Sequence, residues 1–141
     1  MAKRCRDCED EGVTTNRKIY RAGRCYTHDK RFRKAQRDRA HDLHLRKTYN
    51  ITAEQYWALY EYQGGRCFMC SATGKARRLA VDHDHSCCNG PTSCGKCIRG
   101  LLCSQCNKLL GRFRDSPEAF ERAAFYLRNP PAQRFFSSLA R

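Results

Sequence analysis

A chain of 141 residues has room for one domain, or one domain with a small appendage, and its 40% hydrophobic residues include eleven cysteines, so a large buried core is not expected and metal staples are expected in its place. The formal net charge of +14 and a pI near 9.6 point to a polyanionic partner, nucleic acid before an acidic membrane surface; charge that only aids solubility is the plainer alternative, although added acid serves that end better. No stretch approaches the roughly 20 apolar residues of a membrane span and Met1-Ala2-Lys3-Arg4-Cys5 does not open a signal peptide, so no membrane partner is expected, and a reducing cytoplasm is, where cysteines serve as metal ligands rather than disulfides.

Residues 1–28 read as a zinc knuckle, with Cys5-x-x-Cys8 and Cys25-x-x-His28 at the two ends of a turn-rich stretch holding Gly12 and Gly23. Residues 29–48 follow as a basic helical linker carrying Lys30, Arg31, Arg33, Lys34, Arg37, Arg39, Arg46 and Lys47, only partly offset by Asp29, Asp38 and Asp42. Ala35, Leu43 and Leu45 are too sparse for a core stripe, so this helix is predicted to be solvated, either laid along a phosphate backbone or simply facing water. Thr52-Ala53-Glu54-Gln55 is a capping box. It opens a predicted helix over 53–62 with Tyr56, Leu59 and Tyr60 on one face and Trp57 beside it, stopped by Gly64-Gly65.

A knuckle turn at Cys67-x-x-Cys70 comes next, then a short strand, Leu79-Ala80-Val81, running into Asp82. Residues 86–97 are a predicted loop with Gly90-Pro91 and four cysteines, and Ile98-Arg99-Gly100-Leu101-Leu102 is a second strand. A helix begins near Cys103 and carries Cys106, Asn107, Leu109 and Leu110 before Gly111. Ser116-Pro117-Glu118 is a strong helix start, and Phe120, Ala123, Ala124 and Leu127 have the spacing of a helical core face. Asn129-Pro130-Pro131 ends that helix, and the tail 129–141 holds Phe135 and Phe136 without a clear period.

The odd cysteine count argues against a simple disulfide framework and divides cleanly among metals. Cys67, Cys70, Cys103 and Cys106 form the strongest set, two C-x-x-C knuckles flanking a predicted hairpin and suited to one closed tetrahedral zinc. Cys5, Cys8, Cys25 and His28 suit a second zinc. Cys87, Cys88, Cys94 and Cys97 remain for a third, a weaker set because adjacent Cys87 and Cys88 must turn to one metal; His85 is an alternative ligand, and reduced thiols in a loop are the bland reading.

Between the two halves of the central zinc set lies Val81-Asp82-His83-Asp84-His85. A capping aspartate, a histidine pair on zinc, a surface loop, or strand alternation with acids on one face and histidines on the other would each explain it without chemistry. Its rigid placement in a strongly basic chain favours phosphodiester chemistry. His83 suits a general base, since its unperturbed pKa lies near neutrality. Asp82 and Asn107 suit a magnesium-like ion, which prefers oxygen ligands and keeps waters. Arg99, Lys108, Arg112 and Arg114 lie beside this set and are candidates for phosphate contacts, against the plainer reading of ordinary surface charge.

Val81-Asp82-His83-Asp84-His85 followed by Arg99-Gly100-Leu101-Leu102-Cys103-x-x-Cys106-Asn107 resembles the phage recombination endonuclease VII family, within the His-Asn-His, ββα-metal nucleases. Tyr49-x-Ile51-Thr52, Gly64-Gly65-x-Cys67-x-x-Cys70 and Leu110-Gly111 are similar to it as well, and the resemblance spans about 48–128. It implies an α+β, zinc-stapled fold with a ββα-metal hairpin-helix core over 49–128, a four-cysteine structural zinc and a catalytic magnesium or manganese. It also implies Asp82 and Asn107 as ligands of that ion, His83 as the base and His85 as a contact to the scissile phosphate. A junction-cutting member carries an acidic residue three positions after the helix asparagine; here that position is Leu110, which leaves the ion fewer protein oxygens unless Asp84 helps.

The function expected is a metal-dependent DNA endonuclease that cuts branched DNA or nicks duplex DNA during recombination, replication or packaging, acting in the cytoplasm of a bacterial host, with DNA as partner and phage replication or packaging proteins as further candidates. Cutting a junction calls for a homodimer, for which Phe135 and Phe136 are weak candidates. The alternative is a non-catalytic zinc-module DNA-binding protein, which accounts for the basic charge and the 1–28 module but not for Asn107 directly after the second knuckle.

Overall fold

A computed structural model describes residues 4–20, 22–73 and 78–139. The first three residues of the expected knuckle and the last two of the tail lie outside the described residues. The chain runs α1 (Arg6–Asp10), α2 (Tyr26–His44), a π-helical turn (Leu45–Tyr49), α3 (Ala53–Tyr62), β1 (Ala80–His83), β2 (Ile98–Leu102), α4 (Ser104–Arg112), α5 (Pro117–Arg128) and α6 (Pro131–Leu139). This is the α+β architecture the sequence implies, built on one antiparallel hairpin.

Cys5, Cys8 and Cys25 form a small cluster of their own under Ile19, where α1 meets the start of α2. α2 exposes every residue from 30 to 40, as a polar, basic stretch should. Its end corrects the expectation of a wholly solvated helix: Leu45 is only 1% exposed and joins the main core. A single leucine suffices there, because α2 reaches the core only through its last turns. The His41 ring stands edge-on to Tyr56 at 4.8 Å, and Asp42 Oδ1 accepts the Ala53 N–H at 3.0 Å. Asn50, in the left-handed conformation with φ 53°, then turns the chain toward α3.

The capping box at α3 forms as expected, with Thr52 Oγ1 accepting from Gln55 N–H and Gln55 Oε1 from Thr52 N–H. α3 buries Tyr56 completely, and its hydroxyl donates to the Leu79 carbonyl at 2.9 Å. The helix's C-cap, Gln63, reaches the hairpin: its amide accepts the Leu101 N–H at 2.8 Å and donates to the Leu101 carbonyl at 2.9 Å. The rest of the main core is Ile51, Cys67, Leu79, Val81, Leu101, Leu102 and Cys106. It is small for the chain length, in keeping with the composition.

β1 extends further than expected, through Asp82 and His83. It pairs Ala80 with Leu102, Val81 with Leu101, Asp82 with Gly100 and His83 with Ile98, so β2 carries one extra residue, Arg99, as a bulge. Burial does not alternate along β1: Val81, Asp82 and His83 are buried in succession. α4 packs against both strands.

One expectation about the C-terminal region is corrected. α5 starts where Ser116-Pro117 predicts, with Ser116 Oγ accepting the Ala119 N–H, but Phe120, Ala123, Ala124 and Leu127 do not form a buried face. Leu127 is 77% exposed and no residue of α5 is buried. The Phe113–Phe120 ring contact at 4.8 Å attaches the start of the helix, and no described element covers the rest. Residues 131–139, without a clear period in the sequence, are helical and expose Phe135, Phe136 and Leu139. No helix of the described residues is long and apolar enough to cross a membrane.

Candidate functional site

Three groups of four side chains each bring their ligand atoms within 4.8 Å of one another, and together they take up all eleven cysteines and His28. A tetrahedral zinc with Zn–S bonds of about 2.3 Å sets an S···S edge of about 3.8 Å. The Sγ–Sγ separations of 3.9 Å for Cys8–Cys25, 3.7 Å for Cys70–Cys103, 3.9 Å for Cys87–Cys94 and 3.8 Å for Cys94–Cys97 match that edge. All three tetrads could therefore hold zinc structurally.

In the N-terminal tetrad His28 presents Nδ1 to the three sulfurs at 3.3–3.4 Å. Its Nε2 meets Glu11 Oε2 at 2.9 Å, which fixes the ring nitrogen left to bind. In the tetrad at the base of the hairpin, Cys67 and Cys106 are buried and Cys103 caps α4, its Sγ accepting the Cys106 N–H at 3.4 Å. That places Asn107 in the first turn of the helix packed on both strands.

The third tetrad sits at the hairpin tip, and Cys87 and Cys88 both reach it with their sulfurs 4.0 Å apart. The Asp84 carbonyl makes this feasible by accepting both their backbone N–H groups, at 3.2 and 3.1 Å, and curling the chain into a turn. The Lys96 backbone N–H and Cys88 together draw the Cys94 thiol down to about 7. The loop is docked: Ser93 N–H donates to the Thr48 carbonyl at 2.8 Å and the Asn50 amide to the Cys94 carbonyl at 3.1 Å. Gly95, at φ +85°, lies so close that a Cβ there would stand 2.8 Å from the Asn50 carbonyl oxygen. His85, the alternative ligand, is not part of this tetrad.

Between base and tip lies a charged set with Asp82 and His83 buried at its centre. Asp82 and His83 are each 5% exposed. Arg99 holds both Asp82 oxygens, Nε to Oδ2 at 2.7 Å and Nη2 to Oδ1 at 3.0 Å. A carboxylate this buried requires such a partner, and the Asp82 hydrogen bonds in turn raise the Arg99 pKa above its ordinary value. Arg99 Nη2 also lies 3.2 Å from Asp115 Oδ1, and Asp115 Oδ2 meets His85 Nδ1 at 2.9 Å. Burial works against the Asp115 carboxylate, but His85 and Arg99 outweigh it and hold its pKa below the usual range. Asp84, the second acid of the run, spends Oδ1 on the backbone and hydroxyl of Ser86. The His83 ring is 4.6 Å from that of His85 and 6.1 Å from Tyr49, and its Nε2 is buried with no hydrogen-bond partner.

Asp82, His83, His85 and Arg99 are thus brought together, with a cleft of about 400 Å³ lined by Phe68, Met69, Asp82, Arg99 and Asp115 beside them. Lys108, Arg112 and Arg114 are exposed and, among the described residues, carry no ion pair, whereas Arg99 is tied to two carboxylates. Asp115 was not anticipated from the sequence, where Arg114-Asp115-Ser116 reads as a polar turn before a helix. Arg114 and Asp115 both hold positive φ, 52° and 54°, uncommon for residues other than glycine.

A family model described as recombination endonuclease VII matches residues 42–129. The Gene 59 protein of Mycobacterium phage D29 is 46% identical over 133 residues, covering 92% of this chain and 76% of its own length. The Gene 59 protein of Mycobacterium phage L5 is 45% identical with the same coverage. The matched region starts inside α2 and takes in the whole hairpin, both of its tetrads and Asp115.

Proposed function

The chain belongs to the recombination endonuclease VII family, and from that premise we propose that it is a phage endonuclease that hydrolyses DNA phosphodiester bonds with the help of magnesium or manganese. One observation carries the reading: His83 is buried beside Asp82, on a hairpin clamped at base and tip, and its Nε2 has no partner. A buried polar atom left unsatisfied in a rigid setting asks for an explanation, and a water molecule bound there as nucleophile supplies one.

In this reading His83 Nε2 accepts the proton of the attacking water. Asp82 and Asn107, a carboxylate and an amide, are the oxygen donors a small hard cation prefers. Bound there, magnesium or manganese would offset the charge that develops on the phosphate and the leaving oxygen. His85 contacts the scissile phosphate, and Arg99, Lys108, Arg112 and Arg114 meet neighbouring phosphates. The exposed basic residues of α2 add further backbone contacts, so affinity should fall steeply with salt, by about 0.9 in log–log slope per neutralised phosphate on duplex DNA. The site of action is the cytoplasm of the bacterial host, where DNA intermediates of recombination, replication or packaging are made.

The test is cleavage of a matched panel of linear, nicked, four-way and single-stranded DNA with magnesium or manganese. Wild type should cut, and His83→Ala should lower the rate by about 10²–10⁴-fold. Absence of cleavage with either ion overturns the enzyme reading in favour of a zinc-stapled DNA-binding protein, for which magnesium would have no effect. Preference for the four-way substrate calls for two copies acting together; size-exclusion chromatography of the same preparation checks this, with Phe125, Leu127, Phe135 and Phe136 the exposed apolar surface available to such a dimer.

A further inference from the structure

We propose that Asp115 is the positioning carboxylate of this site, holding His85 by its ring Nδ1 and giving Arg99 a second anchor so that Asp82 can be released to a divalent cation. The inference rests on the nuclease reading above. It begins with a conflict that the reading leaves open. Arg99 occupies both oxygens of Asp82, and a guanidinium and a divalent cation cannot share the same two oxygens without strong repulsion. Arg99, its side chain 34% exposed, must move aside when the cation arrives, and Asp115 is a second carboxylate within its reach.

Asp115 is already in place for that. Its Oδ1 lies 3.2 Å from Arg99 Nη2, the same nitrogen that donates to Asp82 Oδ1. Oδ1 is buried and makes no well-aligned hydrogen bond, so it has unspent accepting capacity facing the guanidinium. A small rotation of Arg99 converts the shared contact into a full pair with Asp115 and uncovers Asp82. The other oxygen, Oδ2, accepts from His85 Nδ1 at 2.9 Å, which requires the proton on Nδ1 and leaves Nε2 as the ring's second polar atom for the phosphate.

The backbone supports a dedicated role. After α4 the chain turns through two consecutive left-handed residues, Arg114 and Asp115, neither of them glycine. Each such residue costs about 1 kcal/mol or more, and strain of this kind persists where the surroundings fix it. The turn is fixed by Arg114 N–H to the Gly111 carbonyl, Asp115 N–H to Leu110 and Ser116 N–H to Phe113, all at 3.0–3.1 Å. It returns an acid to the hairpin from three positions beyond the end of α4.

Three measurements test the assignment. In ¹⁵N NMR at pH 8 without divalent ion, His85 of wild type should carry its proton on Nδ1 and revert in Asp115→Ala to the Nε2–H form that free histidine favours. Manganese affinity, read by EPR on the DNA-free protein, should fall about 10–100-fold in Asp115→Asn, the usual cost of removing a group that orients a metal site, and should rise in Arg99→Gln. In the Arg99→Gln background, Asp115→Asn should have no further effect on manganese. Wild-type His85 found as the Nε2–H form, or unchanged manganese affinity in Asp115→Asn, overturns the proposal. So does an equal loss of affinity with and without Arg99, which would make Asp115 a direct ligand. Failure of the nuclease reading would show separately, as wild type that binds manganese and cuts no DNA.

Discussion

At the base of the hairpin, Cys70 and Cys103 meet from 33 residues apart, and their tetrad includes two thiols buried in the core. At the tip, Cys87 and Cys94 meet from 7 residues apart, and both are exposed. The ligand chemistry is the same and the work differs. Closing a loop of 33 residues rather than 7 removes about 1.4 kcal/mol more chain entropy from the unfolded state by the logarithmic loop term. The base tetrad also replaces apolar side chains at the centre of a small core, so it carries the fold. The tip tetrad closes a local loop and docks it on residues 48–50, so its consequence is where His85 and its neighbours stand.

The largest expected effect is at the base. Cys106→Ser should abolish cooperative melting of the hairpin domain and cleavage with it, measured by circular dichroism and plasmid nicking; a variant that melts like wild type would erase the distinction between the tetrads. Cys94→Ser should keep the fold, lose one zinc per chain by atomic absorption, and lower cleavage by about 10–100-fold. Gly95→Ala should destabilise the docked loop by about 1–3 kcal/mol, because the left-handed backbone and the Asn50 carbonyl both resist a Cβ. That cost should vanish in the Cys94→Ser background if the two act on one docked state, and melting of the four variants completes the cycle.

The smallest effect is a pH dependence. The folded Asp115 carboxyl titrates below its unfolded value of about 3.9. Its contribution is therefore fully present above that value and is lost only as pH falls through the lower folded value. Wild type should melt above Asp115→Asn by a margin that does not shrink from pH 8 down to 5.5. A margin that shrinks on acidification within that range would show that His85 and Arg99 do not stabilise the charged form.

The parts of this molecule legible in the sequence are those fixed by local rules. The capping box at Thr52, the Ser116-Pro117 helix start and the C-x-x-C spacings each act over a few residues and appear where expected. What spacing could not reveal is set by tertiary context. Leu45 is buried because the end of α2 docks on Tyr56, and α5 stays exposed because no described element covers its apolar side. The bulge at Arg99 depends on pairing between two strands. Asp115 was hidden because an aspartate before Ser-Pro is ordinary turn chemistry; only its paired left-handed backbone and two ion-pair partners distinguish it. Roles for Asp82, His83, Asn107 and His85 rested on order and resemblance, and the cleavage and NMR experiments above test those of His83 and His85.

Gln63 has a consequence for how copies of this protein meet. A two-stranded sheet leaves backbone groups open on its outer edges, and such edges template the addition of strands from other chains. Gln63 presents its own amide to the N–H and carbonyl of Leu101 on β2, as a neighbouring strand would, and Phe68 N–H adds a second donor to that carbonyl at 3.3 Å. This edge is thus spent within the monomer at the centre of the strand. Association by sheet extension at Leu101 is closed off.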